Sequence, residues 1–429
     1  MPQTLPPKMT SLNLKAFSAP PARSGHKLVI PKRAALLLRL LKSLKIGTLE
    51  VFLPGRLPTD EPLRYGHFRS GEPQACVSLN NWTPFEASIK NGDIGFAQSW
   101  IDGDWESPDL TAVLSLAAAN REVIEQAVYG SWLGQLVFRL KHLLNRNTKR
   151  GAARNIHAHY DLGNDFYSLW LDPTMTYSSA LFDGANQPSK QLVQGQIRKY
   201  QRIIEALALK PQAKVLEIGC GWGGFAELAA QQGLYVKGLT LSREQLSFAQ
   251  HRVAASEQAD RAGFALQDYR DETGLYDGIA SIEMFEAVGE AYWPQFFQTI
   301  QKCLKPGGHA VVQSITIRDD LFERYRVGSD FIQQYIFPGG MLPSIQVFQD
   351  LAGQYGLQTT ETFTFGSDYA ETLRQWRASF IGKLDQVQAL GFDQAFIRTW
   401  AFYLSYCEAA FESGNTNVVQ FTLKKAANV

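Results

Sequence analysis

Apolar residues follow two different periods along this chain. Val215, Leu216 and Ile218 form a compact run without alternation, as expected of a parallel strand buried on both faces. Similar runs recur at Tyr235–Thr240, Phe264–Gln267, Tyr276–Ile282 and Ala310–Thr316. Between them the apolar spacing switches to three and four, which predicts helices over Phe225–Gln232, Ser242–Glu257 and Trp293–Leu304. Ser242 and Gln245 form an S-x-x-Q capping box that marks one helix start. The alternation predicts an α/β fold over residues 191–385, a doubly wound, Rossmann-like parallel sheet. The pattern breaks after Thr316. Residues 318–342 carry Phe331, Tyr335, Phe337, Met341 and a Pro338-Gly339-Gly340 break, and read as a lid-like insertion walling an apolar pocket. Ser344 caps a helix ending near Gly356, helices follow around Tyr369–Leu384 and Asp393–Phe411, and Val418–Leu423 is a last strand.

The first 155 residues pattern differently. Residues 1–30 are rich in proline and show little periodicity, as in a flexible tail. A helix starts at Pro31, and Ala34–Leu44 sets apolar residues against Lys and Arg. That pattern fits a core helix or a helix lying on a membrane surface. Gly47–Leu53 and Ala75–Leu79 read as strands, Asn91-Gly92 as a turn, and Leu110–Ala119 as a helix. Residues 31–120 thus form a small α+β domain. Residues 121–155 read as a basic helical linker, either a solvated face or one attracted to anionic lipid headgroups. The remaining domain, 156–429, opens with an aromatic-rich segment ending at Phe182. It reads as a cap over a nucleotide site, contributing Tyr160, Tyr177 and Ser178.

Composition narrows the class. A net charge of +1 leaves no basic field for nucleic acid. Cys76, Cys220, Cys303 and Cys407 are scattered without a CxxC pair, which fits a reducing cytosol and neither a zinc site nor a disulfide framework. His157 and His159, two apart with no third ligand nearby, do not make a metal site. No apolar run approaches the roughly 20 residues of a membrane span, and the N-terminus shows no secretory h-region.

The candidate chemistry begins at KVLEIGCGWGGF, Lys214–Phe225. Strand, glycine turn, helix is the context in which backbone approaches a nucleotide closely. A dinucleotide fold would place an acid near the end of the second strand; here Thr240 stands there, with Glu217 and Gln245 as the nearby polar groups. Asp268, in QDYRD beside Tyr269, is placed to accept a hydrogen bond from an adenine amino group. The set Glu217, Gly219, Gly221, Thr240, Gln245, Asp268 and Tyr269 suits S-adenosylmethionine, which carries no phosphate, better than NAD.

Seven blocks in order, HYDLGNDFYSLWLDPTMTYSSALF, VLEIGCGWGGFAELA, LTLSREQLSFAQ, QDYRD, MFEAVG, YIFPGGMLPS and FYLSYCEAAF, resemble the cyclopropane-fatty-acyl-phospholipid synthase family. GFAQSWIDGDW resembles that family's N-terminal domain. The resemblance implies S-adenosylmethionine-dependent addition of one carbon to a cis double bond of a phospholipid acyl chain. It implies a cytoplasmic protein peripherally associated with the inner face of the membrane, and leaves a homodimer open. In the family a bound bicarbonate is the base. Glu286 matches the family's Glu, Tyr403 its Tyr, and Ile315 a backbone contact. Two positions depart: Ser179 stands where a Cys is usual, and Gln313 where a His is usual. Gln can donate a hydrogen bond but cannot carry charge or relay a proton. Taken alone, Glu286 also reads as a helix-start carboxylate, Tyr403 as a packed aromatic and Gln313 as a strand-end hydrogen bond. If the anion is lost, a hydride shift would give a methyl- or methylene-branched chain instead of a ring. An amine N-methyltransferase on the same scaffold and a non-catalytic lipid-binding protein are the other readings.

Overall fold

The computed structural model describes residues 30–55, 60–128, 162–182 and 191–427. The expected tail up to residue 29, the linker from 129 to 155, and His157, His159 and Tyr160 lie outside the described residues. The chain divides into two units, Met1–Gly134 and Gln135–Val429.

The first unit holds a four-stranded sheet of β1 (Thr48–Phe52), β2 (Leu63–Gly66), β3 (Gln74–Leu79) and β4 (Trp105–Glu106), in the order β2-β1-β3-β4. β1 runs parallel to β3 and antiparallel to β2. Alternate residues Leu49, Val51, Ala75, Val77 and Leu79 are buried, the period of a sheet with one face in a core. The helix Lys32–Leu40 turns Ala34, Leu37 and Leu38 into the protein and leaves Leu36 outside. The Asn91-Gly92 turn signal falls inside a longer helix, Thr83–Ile101, and breaks it: Gly92 adopts φ 61° and ψ −138°, a conformation open to glycine and costly for other residues. Past the break, Trp105 is fully buried against Phe96 and Trp100, with ring centroids 4.5 and 4.9 Å away, and its indole N–H donates to Ser99 Oγ at 3.1 Å.

The second unit holds β5 (Lys214–Ile218), β6 (Tyr235–Thr240), β7 (Ala262–Leu266), β8 (Tyr276–Ile282), β9 (Leu304–Ile317), β10 (Leu357–Thr364) and β11 (Thr416–Lys425). Their order is β10-β11-β9-β8-β5-β6-β7. β5 through β9 are parallel, as the apolar runs predict. The sheet is mixed, however: β11 pairs antiparallel with both β9 and β10. β10 carries only Leu357 as a fully enclosed apolar position and leaves Gln358, Thr360 and Glu361 exposed, so no apolar run marks this edge strand. Neighbouring residues of β5 feed opposite cores. Leu216 and Ile218 pack with Ile279, Phe285, Phe296 and Phe348 on one face. Val215 packs with Ile203, Leu207, Phe225 and Val236 on the other. Burial on both faces makes β5 the mechanical centre of the unit.

The region 318–342 is more ordered than a lid. It contains the helix Asp319–Val327 and a single π-helical turn, Ile332–Ile336. Met341 belongs to the same core as Phe285 and Phe348, and Phe331 is fully buried against Phe402, 4.7 Å between centroids. Both are buried.

Phe348 stacks on Phe421 at 3.9 Å and meets Phe285 at 5.2 Å, tying the helix Ile345–Gln354 to β11 and to the loop after β8. Removing a ring so enclosed loses transfer energy and leaves a cavity. Phe348→Ala is expected to lower the stability of the second unit by about 3–5 kcal/mol in urea unfolding. Phe68→Ala, at a side chain 66% exposed, is expected to change stability by less than about 0.5 kcal/mol.

Candidate active site

The strand order changes direction between β5 and its two neighbours, β6 and β8. In open parallel sheets ligands bind beyond the carboxyl ends of the strands at such a point. The glycine loop leaves β5 there. The Gly219 and Cys220 N–H groups both donate to Leu239 O, at 3.0 and 2.8 Å, which folds the loop against β6. Gly219 has φ +83°, and a Cβ there would lie 2.8 Å from Met284 Cγ. Gly221 has φ +49°, and a Cβ there would meet nothing within 4 Å, so its backbone borders open space. Arg252 fastens the loop to the cap, donating to Trp222 O at 2.9 Å and Thr174 O at 2.7 Å while pairing with Glu227 at 3.1 Å.

Around this loop stand the residues expected to hold a nucleoside. Glu217 is buried within β5, and its Oε2 has no hydrogen-bond partner. Burial pushes its pKa well above the carboxylate range, against the pull of Lys199. Thr240 Oγ1 donates to Gln245 Oε1 at 3.0 Å, and Ser242 caps the following helix through the Gln245 N–H. Asp268 is turned onto its own loop, both oxygens held by the Arg270 guanidinium at 2.8 and 2.6 Å. Tyr269 is buried at its hydroxyl, which has no partner. Ser178 Oγ accepts from Lys199 Nζ at 2.6 Å.

Beyond the end of β8 lies a second group of side chains. Glu286 Oε1 accepts the Ile315 N–H, and its Oε2 is enclosed without a partner. Burial first, and the nearby Glu283 second, raise Glu286 to about 8. Glu283 Oε1 accepts the Ser179 N–H at 2.9 Å and Gln313 Nε2 at 2.7 Å, and Oε2 accepts the Tyr369 hydroxyl at 2.6 Å. Tyr403 and Tyr177 share a hydroxyl–hydroxyl hydrogen bond of 2.6 Å. Trp376 lies 5.4 Å from Tyr177, and Phe337 6.4 Å from Tyr403, between ring centroids. The structure therefore brings Ser179, Gln313, Ile315 and Glu286 together around Glu283, and sets Tyr177 and Tyr403 together as an aromatic wall. Among the described residues, no group of three or more His, Cys, Asp or Glu side chains is arranged to hold a metal ion.

Sequence reasoning missed three members of this site. Glu283 follows β8 directly, and its signal is the pair of acids three apart in S-I-E-M-F-E. Lys199 is a lone charge in the buried stripe Gln196, Lys199, Tyr200, Ile203, Leu207 of the helix Leu192–Leu207. It is fully buried and also donates to Gln196 Oε1 at 2.6 Å. Desolvation lowers it to about 7, opposed by Glu283, Asp172 and Glu217. Tyr369 carries no sequence signal beyond a helical aromatic position.

A seven-stranded mixed sheet of this order, with a glycine loop after its central strand and acids beyond the next, defines the fold class of S-adenosylmethionine-dependent methyltransferases. The family model described as mycolic acid cyclopropane synthetase matches residues 147–421, and the chain belongs to that family. The tuberculostearic acid methyltransferase UfaA1 of Mycobacterium tuberculosis is 40% identical over 340 residues, 78% of this chain and 79% of that one. The cyclopropane-fatty-acyl-phospholipid synthase of Escherichia coli K12 is 32% identical over 365 residues, 84% of this chain and 91% of that one. The solved structure of mycolic acid cyclopropane synthase CmaA1 complexed with SAH and CTAB superposes with a TM-score of 0.59 at 33% identity, covering 64% of this chain and 98% of that one.

Glu286 gives the site a pH signature. A carboxyl held at about 8 in the folded protein, against an ordinary value of 4.5, keeps a proton the unfolded chain has already lost. Folded stability then falls as pH rises between those two values and levels above the higher one. Unfolding free energies of wild type and Glu286→Gln, measured from pH 5 to 8.5, are expected to diverge in that sense, the wild type losing stability relative to the variant. A constant difference would place Glu286 in its ionised form throughout.

Proposed function

We propose that this chain transfers one carbon from S-adenosylmethionine to the cis double bond of an unsaturated phospholipid acyl chain and closes a cyclopropane ring. The observation that carries this reading is the meeting, at one strand edge, of the glycine loop, the acids Glu283 and Glu286, and the Tyr177–Tyr403 aromatic wall. An alkene is a weak nucleophile, and its methylation develops positive charge on a hydrocarbon chain. Aromatic faces and fixed negative charge in a water-poor site favour that charge.

The residues present fit S-adenosylmethionine. The open backbone at Gly221 and the enclosed, unpartnered Glu217 Oε2 offer room and an acceptor; Thr240, bonded to Gln245, follows the Leu239 carbonyl that receives the Gly219 and Cys220 N–H groups. When bound, it supplies an electrophilic methyl on a sulfonium. The Glu283 carboxylate, held by three donors at the same edge, complements that cation.

Among the relatives, the Escherichia coli cyclopropane-fatty-acyl-phospholipid synthase supports a phospholipid substrate. Leu36 and Phe68, 53% and 66% exposed in the first unit, and the neighbouring Lys32, Arg33 and Arg69 support contact with a membrane surface. Among the described residues no helix is long and apolar enough to cross a membrane. The UfaA1 relative favours a second reading, in which the same methylation ends in a branch rather than a ring.

Given S-adenosylmethionine and unsaturated phospholipid vesicles, the purified chain is expected to add the mass of one methylene group per double bond, read by mass spectrometry of the released acyl chains. Fragmentation separates ring from branch. Unchanged acyl masses with methylation of a small amine would replace this reading. Glu286→Gln is expected to lose about 100-fold or more in turnover while calorimetry still detects cofactor binding.

A further inference from the structure

The residues present do not fit bicarbonate, the base that the family resemblance implies. Two of its expected donors, the Ser179 N–H and the Gln313 side chain, are already spent on Glu283 at 2.9 and 2.7 Å. The orientation of Gln313 is fixed from behind. Arg202 can only donate, and it donates to Gln420 Oε1 at 2.7 Å. The Gln420 amide nitrogen must then face Gln313 Oε1, at 3.0 Å, which leaves Gln313 Nε2 pointed at Glu283. Gln313 and Gln420 are fully buried, so water does not relieve this polarity. Tyr369 supplies a third donor from a third direction, at 2.6 Å. The Ile315 N–H, a further expected donor, is taken up by Glu286 Oε1, and the Tyr403 and Tyr177 hydroxyls bond each other.

The clamp has a backbone cost. Glu283 is a non-glycine residue with φ +50°, a conformation that costs on the order of 1 kcal/mol or more and persists where its surroundings over-determine it. Burial raises the Glu283 pKa, and Lys199 together with the Tyr369, Ser179 and Gln313 donors pulls it back; a strained carboxylate with three donors at the ligand edge of the sheet is placed to serve as the anion of the site.

We propose that the Glu283 carboxylate takes the place of an external anion and accepts the proton that the methylated acyl chain loses. This rests on the alkene methylation proposed above. In that step the sulfur–methyl bond breaks, its electron pair stays on sulfur, and the alkene π pair bonds the methyl carbon. The second alkene carbon is left cationic. Glu283 takes one proton from the former methyl. The freed C–H pair then closes onto the cationic carbon as a ring or, after a hydride shift, forms a methylene double bond. No oxidant or reductant is consumed, and the proton leaves Glu283 to solvent before the next turnover.

The test is anion dependence in carbon-dioxide-depleted buffer. Wild-type acyl methylation is expected to be unchanged by added bicarbonate. Glu283→Gly relieves the backbone strain and opens the donor pocket. Its turnover is expected to fall by about 100-fold or more and to recover by about 10-fold with bicarbonate. Glu283→Gln keeps the pocket filled but cannot accept a proton, and is expected to fall equally without recovery. A readout independent of turnover is the line width of 13C-bicarbonate by NMR, expected to broaden with Glu283→Gly and not with wild type. Bicarbonate-dependent wild type, bicarbonate binding to wild type, or full turnover in Glu283→Gln would overturn the proposal. Should wild type leave acyl masses unchanged, the methylation reading fails, and the NMR comparison still decides whether Glu283 fills an anion pocket. Should Glu283→Gly not fold, the wild type and Glu283→Gln carry the decision.

Discussion

The site depends on a charge constraint: three acids, Glu217, Glu283 and Glu286, and one buried lysine, Lys199, gather at the carboxyl edge of a sheet whose central strand is buried on both faces. Taking a carboxylate out of water costs several kcal/mol unless it is paired and hydrogen-bonded. Three acids cannot all be ionised beside a single ammonium at that edge. The protein resolves the conflict by hydrogen-bond supply. Burial raises both acids; three donors pull Glu283 back toward its charged form, whereas Glu286 receives the Ile315 N–H and leaves Oε2 enclosed without a partner, which favours its neutral form. Two acids with such different surroundings can play different chemical roles.

Such an arrangement is held against its own tendency to relax. Acids whose pKa values are raised by burial weaken the fold near neutrality, and a positive φ at Glu283 adds strain. The offset lies in the packing around them. Phe285 sits between the two acids in sequence and is fully enclosed by Trp293, Phe296, Phe297 and Phe348. The Arg377–Glu408 pair at 2.8 Å joins the helices Gly366–Ile381 and Gln394–Glu412, which carry Tyr369 and Tyr403. A stable shell with destabilising polar contents is the usual relation between an active site and its scaffold.

Much of the scaffold was legible from pattern alone, because doubly buried strands and capped helices leave local marks: Val215–Ile218, the Ser242–Gln245 box and the Asn91-Gly92 break each appear where expected. The antiparallel pairing of β11 was not legible, since strand direction is set by the helices Gly366–Ile381 and Gln394–Glu412 between them and not by residues in the strand. β10 was missed because an edge strand need not be apolar. Within the site, Gln313 stood out as an oddity but its partner did not. Its meaning lies in Glu283, 30 residues away, and in Gln420, 107 residues away. Lys199 was hidden because a lysine in an amphipathic helix ordinarily lies on the wet face.

The division of charge between the two acids is most directly tested by 13C NMR of the glutamate side-chain carboxyl groups across pH 5 to 9, with Glu283 and Glu286 assigned by substitution. The account predicts that Glu283 ionises at a lower pH than Glu286, which titrates near 8. A Glu286 that ionises before Glu283 would contradict it.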